Sequence, residues 1–156
     1  MLATTIAEAL ATDLEVELCG EPDPRSWYQG PAVSLEAQGG GGLGERLARA
    51  AERVIGTGQG VLLIGSDCPD LDRAHLEQAA AALRNRDAVI HPTVDGGYAL
   101  LGLRRFDRSL FTGIEWSTAR VAAQTLDRMR ALGWTVDIGA TLRDIDAPAD
   151  LEALPR

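Results

Sequence analysis

The strongest indication of the fold is the stretch Val61-Leu62-Leu63-Ile64-Gly65-Ser66-Asp67-Cys68-Pro69. Its first four residues are wholly apolar and lie between two glycines, which is typical of a parallel strand buried on both faces. Asp67 follows the carboxyl end of this strand, where open α/β sheets bind their ligands. The stretch therefore predicts a buried strand that carries an acidic group into a ligand site.

Helical and strand-like segments alternate on both sides of this run. The pattern predicts helices at 1–11, from near Gly44, from Asp70 or Asp72, from Ser117 and after Pro148, and strands at 14–19, 61–64, 88–91, 98–103 and 134–138. Ser117 is expected to cap its helix. Such alternation predicts a three-layer α/β/α sandwich with a mostly parallel sheet. Residues 1–156 are expected to form a single domain.

Composition and charge exclude several classes of protein. Hydrophobic residues make up 46% of the 156 residues and charged residues 24%, which is typical of a folded globule. A net charge of −8 without a cluster of Lys and Arg argues against a nucleic-acid partner. Neither a membrane span nor a signal peptide is predicted. The two cysteines, Cys19 and Cys68, indicate no disulfide framework, and a cytoplasmic location is expected.

Carboxylates supply the candidate metal ligands. Asp67 suits Mg²⁺ or Mn²⁺ that bridges to the phosphates of a ligand, although it can also simply turn the chain. Asp144 and Asp146 stand two residues apart in an extended segment and can complete that site, while Asp146 is equally placed to cap the last helix. The sequence Asp95-Gly96-Gly97 is first of all a turn between strands, and Asp95 can also hydrogen-bond sugar hydroxyls or support the metal.

Other motifs allow both a structural and a functional interpretation. Gln38 precedes the glycine run 39–42, which can close over a base or a phosphate or can be a mobile loop. Trp116 can belong to the core or can form a stacking wall for a sugar. His91 is expected to be a packed residue at a strand end.

These motifs follow one another in an order that resembles a known family. They are Gln38 with Leu43-Gly44-Glu45-Arg46, then Ile64-Gly65-Ser66-Asp67-Cys68-Pro69, then Pro92 with Asp95-Gly96-Gly97-Tyr98, then Trp116-Ser117-Thr118, and finally Asp144-Ile145-Asp146 with Pro148. The chain resembles an uncharacterised bacterial family of the glycosyltransferase-A, or nucleotide-diphospho-sugar transferase, superfamily. Its members are often labelled arsenosugar-biosynthesis-type glycosyltransferases, and phospholactate guanylyltransferases look like more distant relatives. The resemblance covers residues 1–154.

The resemblance implies a role for each matched residue. It implies that Asp67 and Asp146, or Asp144 in place of Asp146, hold Mg²⁺ or Mn²⁺, that Asp67 and Asp95 are catalytic, that Gln38, Gly44, Arg46 and Ser66 bind the nucleotide, and that Gly96, Gly97, Tyr98 and Trp116 form the sugar or acceptor pocket. The implied activity is a metal-dependent transferase that uses a nucleotide sugar on an unknown acceptor. The alternatives are a nucleotidyltransferase that joins a nucleoside triphosphate to a small phosphorylated acid, and a binding or oligomerising remnant of the fold that has lost turnover.

The family pattern begins with a strand and a basic phosphate loop, Lys-x-Pro followed by Lys-Thr-Arg-Leu, that this sequence is expected to lack. The loop would supply positive charge to the phosphates of a nucleotide. The strand would lie beside residues 61–64, so an edge of that strand is expected to be left unpaired. There are two hypotheses for what covers this edge. Either residues 14–19 pair with it, or a second copy of the chain covers it in a homo-oligomer.

Overall fold

The computed structural model describes residues 1–144, which contain four α-helices and six strands. The helices are α1 (Leu2–Leu10), α2 (Leu43–Ile55), α3 (Arg73–Ala82) and α4 (Val121–Ala131). The strands are β1 (Glu17–Gly20), β2 (Ser34–Ala37), β3 (Val61–Ile64), β4 (Ala88–Pro92), β5 (Tyr98–Leu103) and β6 (Val136–Ile138). The helix expected after Pro148 lies outside the described residues.

The described strands form two sheets. The larger sheet has the order β3-β5-β4-β6, in which β5 is antiparallel to both of its neighbours and β4 is parallel to β6. Three of its four strands therefore run in one direction. The smaller sheet consists of β1 and β2, which are parallel.

The larger sheet has helices on both faces. Alternate residues of β4 point to opposite sides, so Ile90 packs with α2 and α4 while Val89 packs with α1 and α3. The first cluster includes Ala48, Ala51, Leu101, Leu103, Ala122 and Met129, and the second includes Ala9, Leu76, Ala79 and Leu100. The α/β class and the three-layer arrangement predicted from the sequence are confirmed.

The strand β3 lies at the edge of the larger sheet, and all four of its residues are only half-buried. The prediction of a parallel strand buried on both faces is wrong, because the neighbour of β3 is the antiparallel strand β5. An apolar run indicates burial but does not specify which strand lies beside it. The hypothesis that residues 14–19 pair with 61–64 is also wrong, because Glu17–Gly20 pairs with β2.

The structure decides which residue caps α3 and corrects the predicted start of α4. Asp72, and not Asp70, caps α3: its carboxylate accepts from the backbone N–H of His75 at 3.0 Å, in a reciprocal capping box. Ser117 does not cap α4, which begins after Arg120 without a side-chain cap. Ser117 has a positive φ of 61° and belongs to the preceding loop.

Candidate functional site

A cleft of about 510 Å³ lies between the two sheets. Its walls come from α1, β1, the end of β2, α2 and β3, followed by Gly65 and Ser66. Within residues 1–144, β1 and β3 each have one paired edge only, and both strands line this cleft. The cleft therefore lies between the two sheets, beside the ends of β2 and β3 and the loops that follow these strands.

Gln38 lies at this point, directly after β2, and is half-buried in the cleft wall. Its backbone N–H donates to the carbonyl of Gly20 at 2.9 Å. Its side-chain Oε1 accepts from Nη1 of Arg46 at 3.4 Å, and its backbone carbonyl accepts from Nη1 of Arg49. Gln38 is thus held on both its backbone and its side chain.

The glycine loop that follows is fixed by the same two arginines. Arg49 donates from Nη2 to the carbonyl of Gly40 at 3.0 Å, and Arg46 donates from Nε to the carbonyl of Gly41 at 2.9 Å. Gly39 and Gly41 have positive φ values of 78° and 93°, a backbone conformation that glycine adopts without steric cost. The loop is therefore folded onto the first turns of α2, with its carbonyl groups facing the arginines.

The sequence motifs include Arg46 but miss Arg49 and Arg53. All three line the cleft from one face of α2, at positions i, i+3 and i+7. This helical spacing was visible in the sequence and could have identified Arg49 and Arg53.

Arg53 extends the charged wall of the cleft toward β1. It donates from Nη1 to Glu17 at 3.1 Å, and this guanidinium lowers the pKa of the Glu17 carboxyl. Cys19 lies on the same strand and donates to Glu17 at 3.1 Å. Burial, followed by the hydrogen bond to Glu17, raises the pKa of the Cys19 thiol to about 12. The thiol is therefore protonated at neutral pH.

Asp67 lies two residues beyond the cleft-lining Gly65, in the exposed loop after β3. A Cβ placed on Gly65 would lie 2.9 Å from Oδ1 of Asp67, so the carboxylate turns back over Gly65. Within residues 1–144 Asp67 makes no hydrogen bond and no ion pair. The alternative that Asp67 only stabilises a turn finds no support in these contacts, and its oxygens face solvent beside Ser66.

The neighbouring acid Asp70 is bound differently. Its carboxylate accepts from Nε and Nη2 of Arg143, each at 3.0 Å, and Arg143 lowers the pKa of Asp70. Cys68 is buried beside this pair and donates to the carbonyl of Arg143 at 2.9 Å. These contacts tie the loop after β3 to the segment that approaches Asp144.

Asp95, Gly96 and Gly97 form the turn between β4 and β5. Oδ1 of Asp95 accepts from the Thr93 hydroxyl at 2.5 Å and from the N–H of Gly97 at 3.1 Å. Gly96 has a φ of 94°, and a Cβ there would lie 2.2 Å from the carbonyl oxygen of Ala119. The turn interpretation is confirmed for these residues, whereas a contact with a sugar stays a prediction.

Three further candidates pack against the core and do not line the cleft: Tyr98 and Trp116, predicted for the sugar or acceptor pocket, and Gly44, predicted to bind the nucleotide. Tyr98 begins β5, its hydroxyl oxygen is buried without a hydrogen-bond partner in the described part of the chain, and burial raises its pKa. Gly44 is buried in the first turn of α2, where a Cβ would lie 2.9 Å from Nε1 of Trp116. The structure thus explains Gly44 and Trp116 by packing.

His91 is 4% exposed, and its Nδ1 lies 2.9 Å from the carbonyl oxygen of Ala140. Its ring packs edge-to-face on His75, with the ring centroids 5.3 Å apart. The prediction of a packed histidine is confirmed.

The predicted second metal ligand lies beyond the described part of the chain. Asp146 falls there, while Asp144 is the last described residue and makes contacts of its own. Among residues 1–144, no three His, Cys, Asp or Glu side chains come together as a metal cage. Within the same range, no helix combines the length and hydrophobicity needed to span a bilayer.

The fold is that of the nucleotide-diphospho-sugar transferases. A crystal structure from Desulfovibrio desulfuricans G20, described as a "putative nucleotide-diphospho-sugar transferase", matches with a TM-score of 0.87 and 32% sequence identity. The match covers 99% of this chain and 73% of that chain. The model of the family described as "Uncharacterized protein conserved in bacteria (DUF2064)" matches residues 4–118, and the chain belongs to this family. No curated protein matches the chain. The family resemblance and the fold class predicted from the sequence are confirmed.

Proposed function

We propose that this protein is a metal-dependent transferase that uses a nucleotide sugar and binds its nucleotide at the end of the cleft formed by Gln38, Arg46 and Ser66. The observation that carries the proposal is the exposed carboxylate of Asp67, which makes no hydrogen bond or ion pair within residues 1–144 and turns back over Gly65. It lies just beyond the carboxyl end of β3, the position at which α/β sheets bind ligands. The similarity to the Desulfovibrio protein supports the same class of substrate.

A divalent metal fits these residues as a partner of bound phosphates and not as the occupant of a protein cage. Mg²⁺ in phosphate-transfer sites is commonly held by one or two carboxylates together with substrate phosphates and water. One carboxylate at the strand end, Asp67, is therefore sufficient on the described side of the site, and we assign Asp146 as a second ligand. The metal would neutralise charge on the leaving nucleoside diphosphate.

The chain's own residues bind and orient the nucleotide in this proposal. Arg46 and Arg49 hold the glycine loop against α2 and so fix Gln38, which would contact the base. Their positive charge offsets part of the net charge of −8 where phosphates approach. With a metal bound, Asp67 would help to orient the diphosphate, and positioning and electrostatics would then provide the rate acceleration.

Thermal-shift measurements with nucleoside diphosphates test this proposal. A nucleotide that binds the folded state raises the melting temperature by mass action. We expect a shift with a diphosphate plus Mn²⁺, and we expect Asp67→Asn to lose the Mn²⁺-dependent part. Asp127→Asn is the control, because Asp127 is an exposed acid on α4, outside the cleft lining. No shift with any nucleotide would contradict the proposal and favour the remnant of the fold. A larger shift with triphosphates would favour nucleotidyl transfer.

We also propose that a second copy of the chain covers the unpaired edge of β3 along residues 61–64 and leaves open the end of the cleft at Gln38, Arg46 and Ser66. A half-buried apolar strand with an unpaired edge is a template for pairing with another chain. Sedimentation equilibrium is expected to show a homo-oligomer, and a monomer at all concentrations would rule it out.

A further inference from the structure

Arg143 joins the segment that follows β6 to the loop that follows β3. Its guanidinium donates from Nε and Nη2 to the carboxylate of Asp70, each at 3.0 Å, and its backbone N–H donates to the same carboxylate at 3.3 Å. Its carbonyl oxygen accepts from the Cys68 thiol at 2.9 Å. Arg143 therefore uses its side chain and both of its backbone groups to hold the loop after β3.

The ion pair between Arg143 and Asp70 has a geometry that sets it apart from most surface ion pairs. Exposed pairs usually contribute little, but a guanidinium that binds a carboxylate through two parallel hydrogen bonds is an exception. The Asp70 side chain is 32% exposed, against 71% for Asp127 in its pair with Arg130 on α4. Water therefore screens the first pair less, and this pair can fix the separation of two chain segments.

Each partner of this ion pair stands three residues from a carboxylate that we assign to the metal. Asp70 follows Asp67 by three residues. Arg143 precedes Asp146 by three residues. Because three residues of chain span at most about 11 Å, a tie between Asp70 and Arg143 limits how far the two acids can separate.

We propose that Asp70 and Arg143 are positioning residues for the metal site. Their ion pair holds the segment that carries Asp146 beside Asp67, so that both carboxylates reach one divalent ion. This inference rests on the proposed function, in which these two acids share the metal. Ligands on untied segments must lose more conformational freedom when the ion binds, which lowers its affinity. Groups that orient metal ligands typically contribute about 10- to 100-fold to metal affinity.

The same ion pair distinguishes Asp67 from Asp70 as metal ligands. Oδ1 of Asp70 accepts from Nη2 of Arg143, and Oδ2 accepts from Nε and from the backbone N–H. Both oxygens of Asp70 are therefore occupied by donors, and a metal ion would have to displace them. Arg143 thus holds Asp70 out of the metal site while it ties the loop in place.

Equilibrium dialysis of nucleoside diphosphates over a series of Mn²⁺ concentrations tests the inference. UDP, CDP, GDP and ADP are compared first, and the tightest binder is used. The Mn²⁺ concentration at half-maximal nucleotide binding, here called the Mn²⁺ midpoint, reports the metal site. In Asp70→Asn and in Arg143→Gln we expect this midpoint to rise about tenfold or more, with nucleotide binding retained at saturating Mn²⁺. A general loss of structure would lower nucleotide binding at every Mn²⁺ concentration.

Two further variants show whether the residues act as a pair. Exchange of the partners, Asp70→Arg with Arg143→Asp, restores opposite charges and is expected to recover part of the metal affinity that either single variant loses. Arg143→Lys keeps the charge without the planar fork, so we expect a Mn²⁺ midpoint between those of the wild type and Arg143→Gln. Glu77→Gln is the matched control, because it breaks an exposed ion pair with Arg73 inside α3. It is expected to keep the wild-type midpoint.

The outcomes separate this inference from the proposed function. A wild-type Mn²⁺ midpoint in both single variants, together with loss of the Mn²⁺ dependence in Asp67→Asn, would overturn the inference and leave the proposed function standing. Absence of binding of all four diphosphates to the wild-type protein would overturn both. If a single variant fails to fold, as judged by circular dichroism, Arg143→Lys decides by the same midpoint. A folded exchange variant that binds Mn²⁺ no better than the single variants would contradict the action of the two residues as a pair.

Discussion

Trp116 lies directly over Gly44, so that a Cβ added to Gly44 would lie 2.9 Å from its Nε1 and 2.5 Å from the carbonyl oxygen of Phe111. This relationship joins the first turn of α2 to the loop before α4 across the core. It explains why a helix that begins beside the cleft carries a buried glycine.

Gly44→Ala is expected to lower the free energy of unfolding by about 1–3 kcal/mol, because the new methyl group meets a backbone carbonyl that cannot move freely. In an unobstructed helix the same change would raise the free energy of unfolding by up to about 1 kcal/mol. The sign of the change therefore distinguishes a tightly packed glycine from an unobstructed one. Urea denaturation measures it. Gly40→Ala is the control, since no atom lies within 4 Å of a Cβ at Gly40. Equal stability of the two variants would contradict the packing role of Gly44.

Asp87 anchors the start of β4 to the strand that follows α4. It is 8% exposed and accepts from the backbone N–H of Thr135 at 2.9 Å and from Arg104 at 2.9 Å. These hydrogen bonds lower the pKa of Asp87 below its ordinary value of 3.8. The stabilisation is therefore complete above the ordinary value and is lost as the pH falls from 3.8 through the lower pKa of the folded state.

Asp87→Asn is accordingly expected to destabilise the protein by about 1–3 kcal/mol at neutral pH, and by progressively less as the pH falls below the ordinary pKa of an aspartate. Urea titrations at a series of pH values measure this. Asp127→Asn is the matched control, because its ion pair with Arg130 is exposed and contributes little. A pH-independent effect of Asp87→Asn would show that the carboxylate charge is not responsible.

Cys19 is expected to react slowly with a thiol reagent although it is only half-buried. Its pKa is raised to about 12, mainly by burial and then by Glu17, so little thiolate exists near neutral pH. In a Cys68→Ala background at about pH 8, alkylation should be at least about tenfold slower in the folded protein than in urea, even allowing for the greater nucleophilicity of a more basic thiolate. Glu17→Gln should accelerate the folded reaction. Equal rates in the folded and unfolded protein would contradict the raised pKa.

The sequence predicts the helices and strands better than it predicts which strands lie side by side in a sheet. The apolar runs identify β3, β4, β5 and the four helices of residues 1–144, because the spacing of apolar residues within a segment depends on its own secondary structure. It missed β2, whose four residues, Ser34–Ala37, alternate too briefly to stand out. It also misjudged the partner of β3, because strand pairing depends on the entire sheet and not on the strand itself.

The candidate site shows the same division. The position of Asp67 after the end of β3 could be predicted from the apolar run that precedes it, while its role as a metal ligand stays a prediction. The hydrogen bonds from Arg49 to Gln38 and Gly40 could not be predicted, because they require a loop that glycines with positive φ fold back onto a helix. Equally, no sequence pattern shows that Gly44 meets Phe111 and Trp116, which are more than sixty residues away in the chain.

A crystal structure with Mn²⁺ and UDP would show whether Asp67 holds a nucleotide-bound metal. We expect an anomalous difference peak about 2.0–2.4 Å from a carboxylate oxygen of Asp67 and at a similar distance from the diphosphate, with the uracil beside Gln38. Manganese bound away from Asp67, with UDP in the cleft, would contradict the role of Asp67 as a metal ligand.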